Sequence, residues 1–192
     1  MATRIERATR SRAALVEAAR QCFTERGYED TTVAEILERA GMARGALYHY
    51  FPGGKAEIFG AVFETINDEF HRRRDAVSEL TSPLDQLVAG IGVFLRMCRD
   101  EDFARIALTD APRLIPGQSE LGSSYRMLRD GLARAAAAGE LDQVDVDASA
   151  MALYGAVRSA GEYVIAAWNR TAAVTHSTAV LERFLEGLRR RS

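Results

Sequence analysis

The chain has 192 residues, 47% hydrophobic and 27% charged, with a formal net charge of −2, so it can bury a real core and is not a polycation. No run approaches the ~18 uninterrupted apolar residues of a membrane span, and the opening MATRIERATRSRAALVEAAR has arginines but no apolar block behind them, unlike a secretory signal. Cys22 and Cys98 are too few and too far apart for a disulfide framework or a zinc site, so a reduced, cytoplasmic protein without metal or cofactor is expected.

In chain order, Arg4, Arg7, Arg10 and Arg12 come first, against the single acid Glu6. Alone, such a cluster is a solvated terminus; beside a second nucleic-acid signal it reads as a basic arm. Ala14, Leu15, Ala18, Ala19, Cys22 and Phe23 then form an apolar stripe at three-to-four spacing that ends at Gly27. In TTVAEILERAG, Thr32 and Glu35 have the spacing of a capping box. Val33, Ile36, Leu37 and Ala40 are expected to face inward, and Gly41 to close the helix. A brief third helix is expected over residues 44–51, broken by Pro52-Gly53-Gly54.

A long helix is predicted over residues 55–80, with Ile58, Phe59, Val62, Ile66 and Phe70 on one face and Arg72-Arg73-Arg74 toward its C-terminal end. Pro83 sits where a first helical turn tolerates it, ahead of a helix over 84–99. A short helix over 102–109 follows. APRLIPGQSELGSS reads as a loop, and helices over 125–138, 146–169 and 179–190 complete the set. The predicted fold is all-α, with about nine helices and no sheet. The joint near residue 55 is tight enough to predict a rigid coupling.

Two short helices joined by a glycine-containing turn describe a helix-turn-helix. Leu47 is expected to anchor the second, while Arg44, Tyr48 and His49 project outward. Arginine can donate two hydrogen bonds to a guanine edge; tyrosine, histidine and lysine more often hold phosphate oxygens. The Thr32 hydroxyl and the amides beside it can meet a second stretch of backbone. A nucleotide site at Gly54-Lys55 fails, because a Walker loop needs glycine and Ser/Thr where His49 and Ala56 stand.

The stretch TTVAEILERAGMARGALYHYFPGGKAEIF resembles the helix-turn-helix of TetR-family (tetracycline-repressor-like) transcriptional regulators. The matching residues are Phe23, Gly27, Tyr28, Thr31-Thr32-Val33, Ile36, Ala40-Gly41, Gly45, Leu47-Tyr48, Tyr50-Phe51 and Lys55. The resemblance implies a DNA-binding domain over residues 1–54 and an effector-binding and dimerisation domain over 55–192. It implies a homodimer on a pseudo-palindromic operator, most commonly a repressor released by a small molecule. Its DNA contacts would fall at Thr32, Arg44, Ala46, Tyr48, His49, Tyr50 and Lys55, with Arg44 reading bases. Four departures stand out. Ala43 replaces a frequent N-cap serine and Ala46 a frequent threonine; Leu37 occupies a commonly small position; and Pro52-Gly53-Gly54 adds one residue before Lys55.

On the helix over 146–169, Ala148, Ala152, Gly155, Ala156, Ser159 and Ala160 permit close approach of another helix. With Val180, Leu181, Phe184, Leu185 and Leu188 they fit either a four-helix dimer contact or packing within the chain. The interface candidates are Ala152, Gly155, Ala156, Ser159, Phe184 and Leu188. For an effector pocket the candidates are Phe94, Met97, Phe103, Tyr125, Met127, Met151, Tyr154, Arg158, Glu162 and Trp168. Residues of these types are core as readily as pocket, and Arg158 and Glu162 either pair with each other or orient a polar ligand. An enzyme is the competing class, but His71 and His176 lack clustered partners and neither HExxH nor GxSxG occurs. A protein-interaction module with an incidental helix-turn-helix is the third reading.

Overall fold

The computed structural model describes residues 3–77, 79–115, 122–142 and 144–190. Among them the elements are α1 (Arg4–Asp30), α2 (Val33–Arg39), α3 (Ala46–Tyr50), α4 (Gly54–Asp75), α5 (Pro83–Met97), a π-helix (Phe103–Asp110), α6 (Ala111–Leu114), α7 (Ser123–Ala137), α8 (Val146–Ala166) and α9 (Arg170–Glu186). The one strand-like contact described is an isolated bridge between Leu141 and Arg189. The chain is all-α, as its periodicity predicts.

Local chemistry explains the helix starts. Thr3 and Glu6 form a capping box on α1, and Thr32 and Glu35 form the predicted one on α2. Hydrogen bonds donated by the Thr32 amide and hydroxyl hold the Glu35 carboxyl below the usual carboxylate range. Ser82 caps α5, with Pro83 directly after it. Asn169 accepts from the Ala172 amide at 3.0 Å and starts α9.

Several boundaries differ from expectation. Gly27 does not end α1 but bends it, at φ 81, and the helix resumes to Asp30. Arg44 precedes α3 and lies in the turn. α8 stops at Ala166, and α9 begins at Arg170, nine residues before the predicted 179. That early stretch is rich in Thr and Ala and has no clear apolar stripe, so its Asn169 cap is the better signal. The predicted short helix over 102–109 is a π-helix. Part of the predicted loop after it is α6, and residues 116–121 lie outside the described residues.

The described residues fall into two compact units. One comprises the chain up to Asp68 together with 101–115; the other comprises Glu69–Asp100 and the residues from Gly122 onward. The division between these units lies within α4. In the first unit Leu15, Phe23, Ile36, Leu47, Phe51, Ile58, Phe59 and Ile106 are fully buried. Phe23, Tyr28 and Phe59 meet ring to ring at 5.1–5.8 Å between centroids. The second unit is built on Leu84, Leu95, Met97, Cys98, Leu132, Leu153, Val164 and Leu185. Its α5 and α8 approach closely at Gly161, where a Cβ would stand 3.1 Å from the Phe94 ring. Burial pushes the Cys98 thiol up to about 12 and raises that of Cys22 as well. Both stay neutral thiols at physiological pH, which removes a thiolate nucleophile from consideration.

Candidate nucleic-acid interface

The geometry of α2, the turn and α3 follows from a few residues. After Arg39 the chain turns through Gly41 at φ 64, a left-handed position that favours glycine. The Met42 amide then donates to the Leu37 carbonyl at 2.9 Å and closes the end of α2. α3 is a single short helix held by its inward side chains. Leu47 and Phe51, one turn apart, are both fully buried. Between them Tyr48 is 56% exposed and His49 exposed. Residues four apart share a helix face; with Leu47 and Phe51 buried, His49 falls opposite them and Tyr48 on the flank, so both reach solvent.

Arg44, Tyr48, His49 and Thr32 are all exposed in the first unit, as predicted. Among the described residues Arg44 makes no ion pair, so its guanidinium is available to a ligand. The Tyr50 ring is half-buried and meets His49 edge-on at 4.8 Å between centroids.

Two of the expected contact residues are engaged within the protein. Lys55 does not project with the others. Its ammonium donates to the carbonyl oxygens of Tyr28 at 2.9 Å, Thr31 at 3.0 Å and Glu29 at 3.3 Å, and lies 4.3 Å from the centroid of the Tyr28 ring. The last carbonyls of a helix lack intrahelical donors, and a lysine with three N–H groups fills such a cluster. In this arrangement Lys55 caps α1. Ala46 offers no hydroxyl, and its amide is taken by the Ala43 carbonyl at 2.9 Å.

One contributor was not assigned from sequence. The Arg12 guanidinium stands 4.8 Å over the ring of Phe51, the residue that ends α3. Arg7, Arg10 and Arg12 are exposed on the first turns of α1. The signal was present: Thr3-x-x-Glu6 has the same spacing as the α2 cap, and it makes the arginine cluster helical.

The expected effector residues lie in different surroundings. Phe103 belongs to the first unit, Met97 is buried core, and Met151 and Trp168 are 47% and 103% exposed. Arg158 and Glu162 pair with each other at 3.2 Å on an exposed face, the structural alternative for that pair. The Tyr125 and Tyr154 rings meet edge-on at 6.3 Å, and Arg74 donates to the Met127 sulfur at 3.2 Å. Neither the crevice under Val88, Ile91 and Leu181 nor the open groove of about 560 Å³ beside Glu17 and Asp102 is lined by these residues.

The expected interface residues are distributed differently. Ala152, Gly155 and Ser159 are exposed and Ala156 half-buried along one face of α8, which continues through Met151 and Tyr163. On α9, Val180 is 64% and Phe184 38% exposed, and Leu188 beyond its end is half-buried. Leu181 and Leu185 instead serve the unit's own core.

An α2–turn–α3 pair with a buried anchor and an outward polar face is a helix-turn-helix. Comparison with known proteins extends this. Residues 15–62 match the family described as "Bacterial regulatory proteins, tetR family", and residues 84–188 match "Tetracyclin repressor-like, C-terminal domain". The chain belongs to the TetR family. It is 40% identical over 82 residues to the probable HTH-type transcriptional regulator ArpR of Pseudomonas putida, an alignment covering 43% of this chain and 38% of that protein. It is 39% identical over 74 residues to the HTH-type transcriptional repressor AcnR of Corynebacterium glutamicum, covering 38% and 37%. The chain thus spans well under half the length of these curated relatives. A crystal structure of a TetR-family transcriptional regulator from Pectobacterium atrosepticum superposes over 99% of both chains, with a TM-score of 0.73 and 29% identity. Among the described residues no helix is long and apolar enough to cross a membrane.

Proposed function

We propose that the protein is a transcriptional regulator, acting as a repressor, that binds a pseudo-palindromic DNA operator as a homodimer and is released by a small-molecule effector. The observation that carries this reading is the outward face of α3: Tyr48 and His49 exposed over the buried anchors Leu47 and Phe51, with Arg44, just before it, in no ion pair among the described residues. Arg44 is the base reader, through a guanidinium free to donate to a guanine edge. Tyr48, His49, Tyr50 and Thr32 meet phosphate oxygens, and the arginines of α1 add positive charge beside α3.

The exposed apolar faces of α8 and α9 support a second copy of this chain as their partner. Single exposed apolar residues are ordinary, but Met151, Tyr163, Val180 and Phe184 recur on two neighbouring helices. The small residues between them let another helix approach. A two-fold dimer then presents two α3 helices to successive major grooves. Effector action requires different affinities for two arrangements of those helices, and the helical segment 84–188 would hold the effector. Cytoplasmic location follows from the DNA reading.

Selection from a random duplex pool tests the proposal. Recovered sequences should contain an inverted repeat with half-sites about one helical turn apart. Recovery of no shared motif would count against the reading.

A further inference from the structure

The bend at the end of α1 in the first unit is held from two sides. From the π-helix, Asp110 accepts a hydrogen bond from the Tyr28 amide at 3.0 Å, and Arg105 donates to the Arg26 carbonyl at 3.1 Å. From the start of α4, Lys55 donates to the carbonyls of Tyr28, Glu29 and Thr31. Tyr28 is the shared residue, with its amide on Asp110 and its carbonyl on Lys55. Lys55 is the only lysine in the chain.

Asp110 is 2% exposed, and arginines surround its carboxyl. Arg113 donates to it at 2.7 Å, and the Arg105 guanidinium lies 3.8 Å away. Just before the π-helix, Asp102 takes both Nε, at 2.6 Å, and Nη2 of Arg20 on α1. A buried carboxylate is costly unless paired and hydrogen-bonded, so this position is specified, not incidental. Gly27 fits the same arrangement: a Cβ there would stand 2.0 Å from the Arg105 guanidinium.

The helical register decides whether these contacts exist. Arg105 and Asp110 are five residues apart, and the π-helix bonds i to i+5, bringing them to one face. In an α-helix five residues turn through about 500°, leaving the pair roughly 140° apart. Rewinding this segment into α register would swing Asp110 or Arg105 away from α1.

We propose that Asp110 and Arg105 are positioning residues for DNA recognition. The π register clamps the end of α1, and the clamped carbonyls fix Lys55 and the start of α4 directly after the recognition helix. This rests on the reading of α3 as the DNA-contacting helix. Neither residue touches DNA; both act through Tyr28 and Lys55.

A double-mutant cycle with Asp110→Asn and Lys55→Met, read as the Kd for the duplex recovered by selection, tests it. Amide hydrogen exchange at Tyr28 is followed in the same proteins. Asp110→Asn should weaken binding roughly tenfold and speed Tyr28 exchange, and the double variant should bind no worse than Lys55→Met alone. Arg105→Gln, at a half-exposed side chain that tolerates change, should reproduce the faster exchange and the non-additivity if Asp110→Asn fails to fold. Losses that multiply, wild-type affinity in both π-helix variants, or unchanged Tyr28 exchange would overturn the proposal. Wild-type protein that binds no duplex would instead remove the DNA reading beneath it, before any substitution is compared.

Discussion

Arg44→Ala should lower affinity for the selected duplex by roughly 5- to 150-fold, corresponding to about 1–3 kcal/mol for one bidentate base contact. Affinity for a random duplex of the same length should change far less, since a single phosphate-range charge carries little sequence information. The contrast follows from position. Arg44 is exposed, unpaired among the described residues and two positions before α3, so its loss leaves the anchors Leu47 and Phe51 in place. Tyr48→Phe provides the comparison: it removes a hydroxyl suited to phosphate and should weaken both duplexes alike. Fluorescence anisotropy on the two duplexes separates the roles. Equal losses for Arg44→Ala on both would assign it to the backbone instead of the bases.

Gly155→Glu should separate the proposed dimer without unfolding the protomer. A Cβ at Gly155 meets nothing within 4 Å, so the chain itself accommodates a side chain there. Replacing an exposed mid-helix glycine should stabilise α8 by up to about 1 kcal/mol. In a two-fold contact each patch faces its own copy, so the new carboxylate meets its equivalent or apolar surface such as Phe184. Either outcome removes a charge from water without a partner. Sedimentation velocity should show monomer, at a protein concentration where wild type is dimeric, with melting temperature unchanged or higher. Operator affinity should fall at least about a hundredfold, because one half-site replaces two. Wild-type dimerisation in this variant would place the interface elsewhere.

The helix-turn-helix was legible because its determinants are local. Thr32 with Glu35, Gly41, Leu47 and Phe51 are each explained by neighbours within a few residues. The outward placement of Tyr48 and His49 then follows from helix geometry alone. Lys55 was not legible in this way. Its partners lie 24–27 positions earlier, and only the bend at Gly27 turns those carbonyls toward it. The π-helix was equally hidden, since apolar spacing cannot separate i to i+5 from i to i+4 bonding over eight residues. Asp110 is buried against the Tyr28 amide and two arginines, partners that no local spacing announces.

The expected effector residues mark a different limit. Aromatic and Met spacing identifies which residues lie on helix faces but not what those faces meet. Met97 and Trp168, similar as candidates, end at 2% and 103% exposure. For α8 and α9 the pattern was informative in outline only. Small residues predicted a close-approach face, while the core took Leu181 and Leu185 and left Val180 and Phe184 outside.

The most direct measurement of the central claim is the affinity of the protein for the selected duplex and for a half-site, each titrated across salt concentration. Two protomers should bind each full site, and half-site binding should be much weaker. Log K should fall linearly with log salt at a slope of about −0.9 per phosphate neutralised. Equal affinity for half-site and full site, or binding indifferent to salt, would rule out dimeric operator binding.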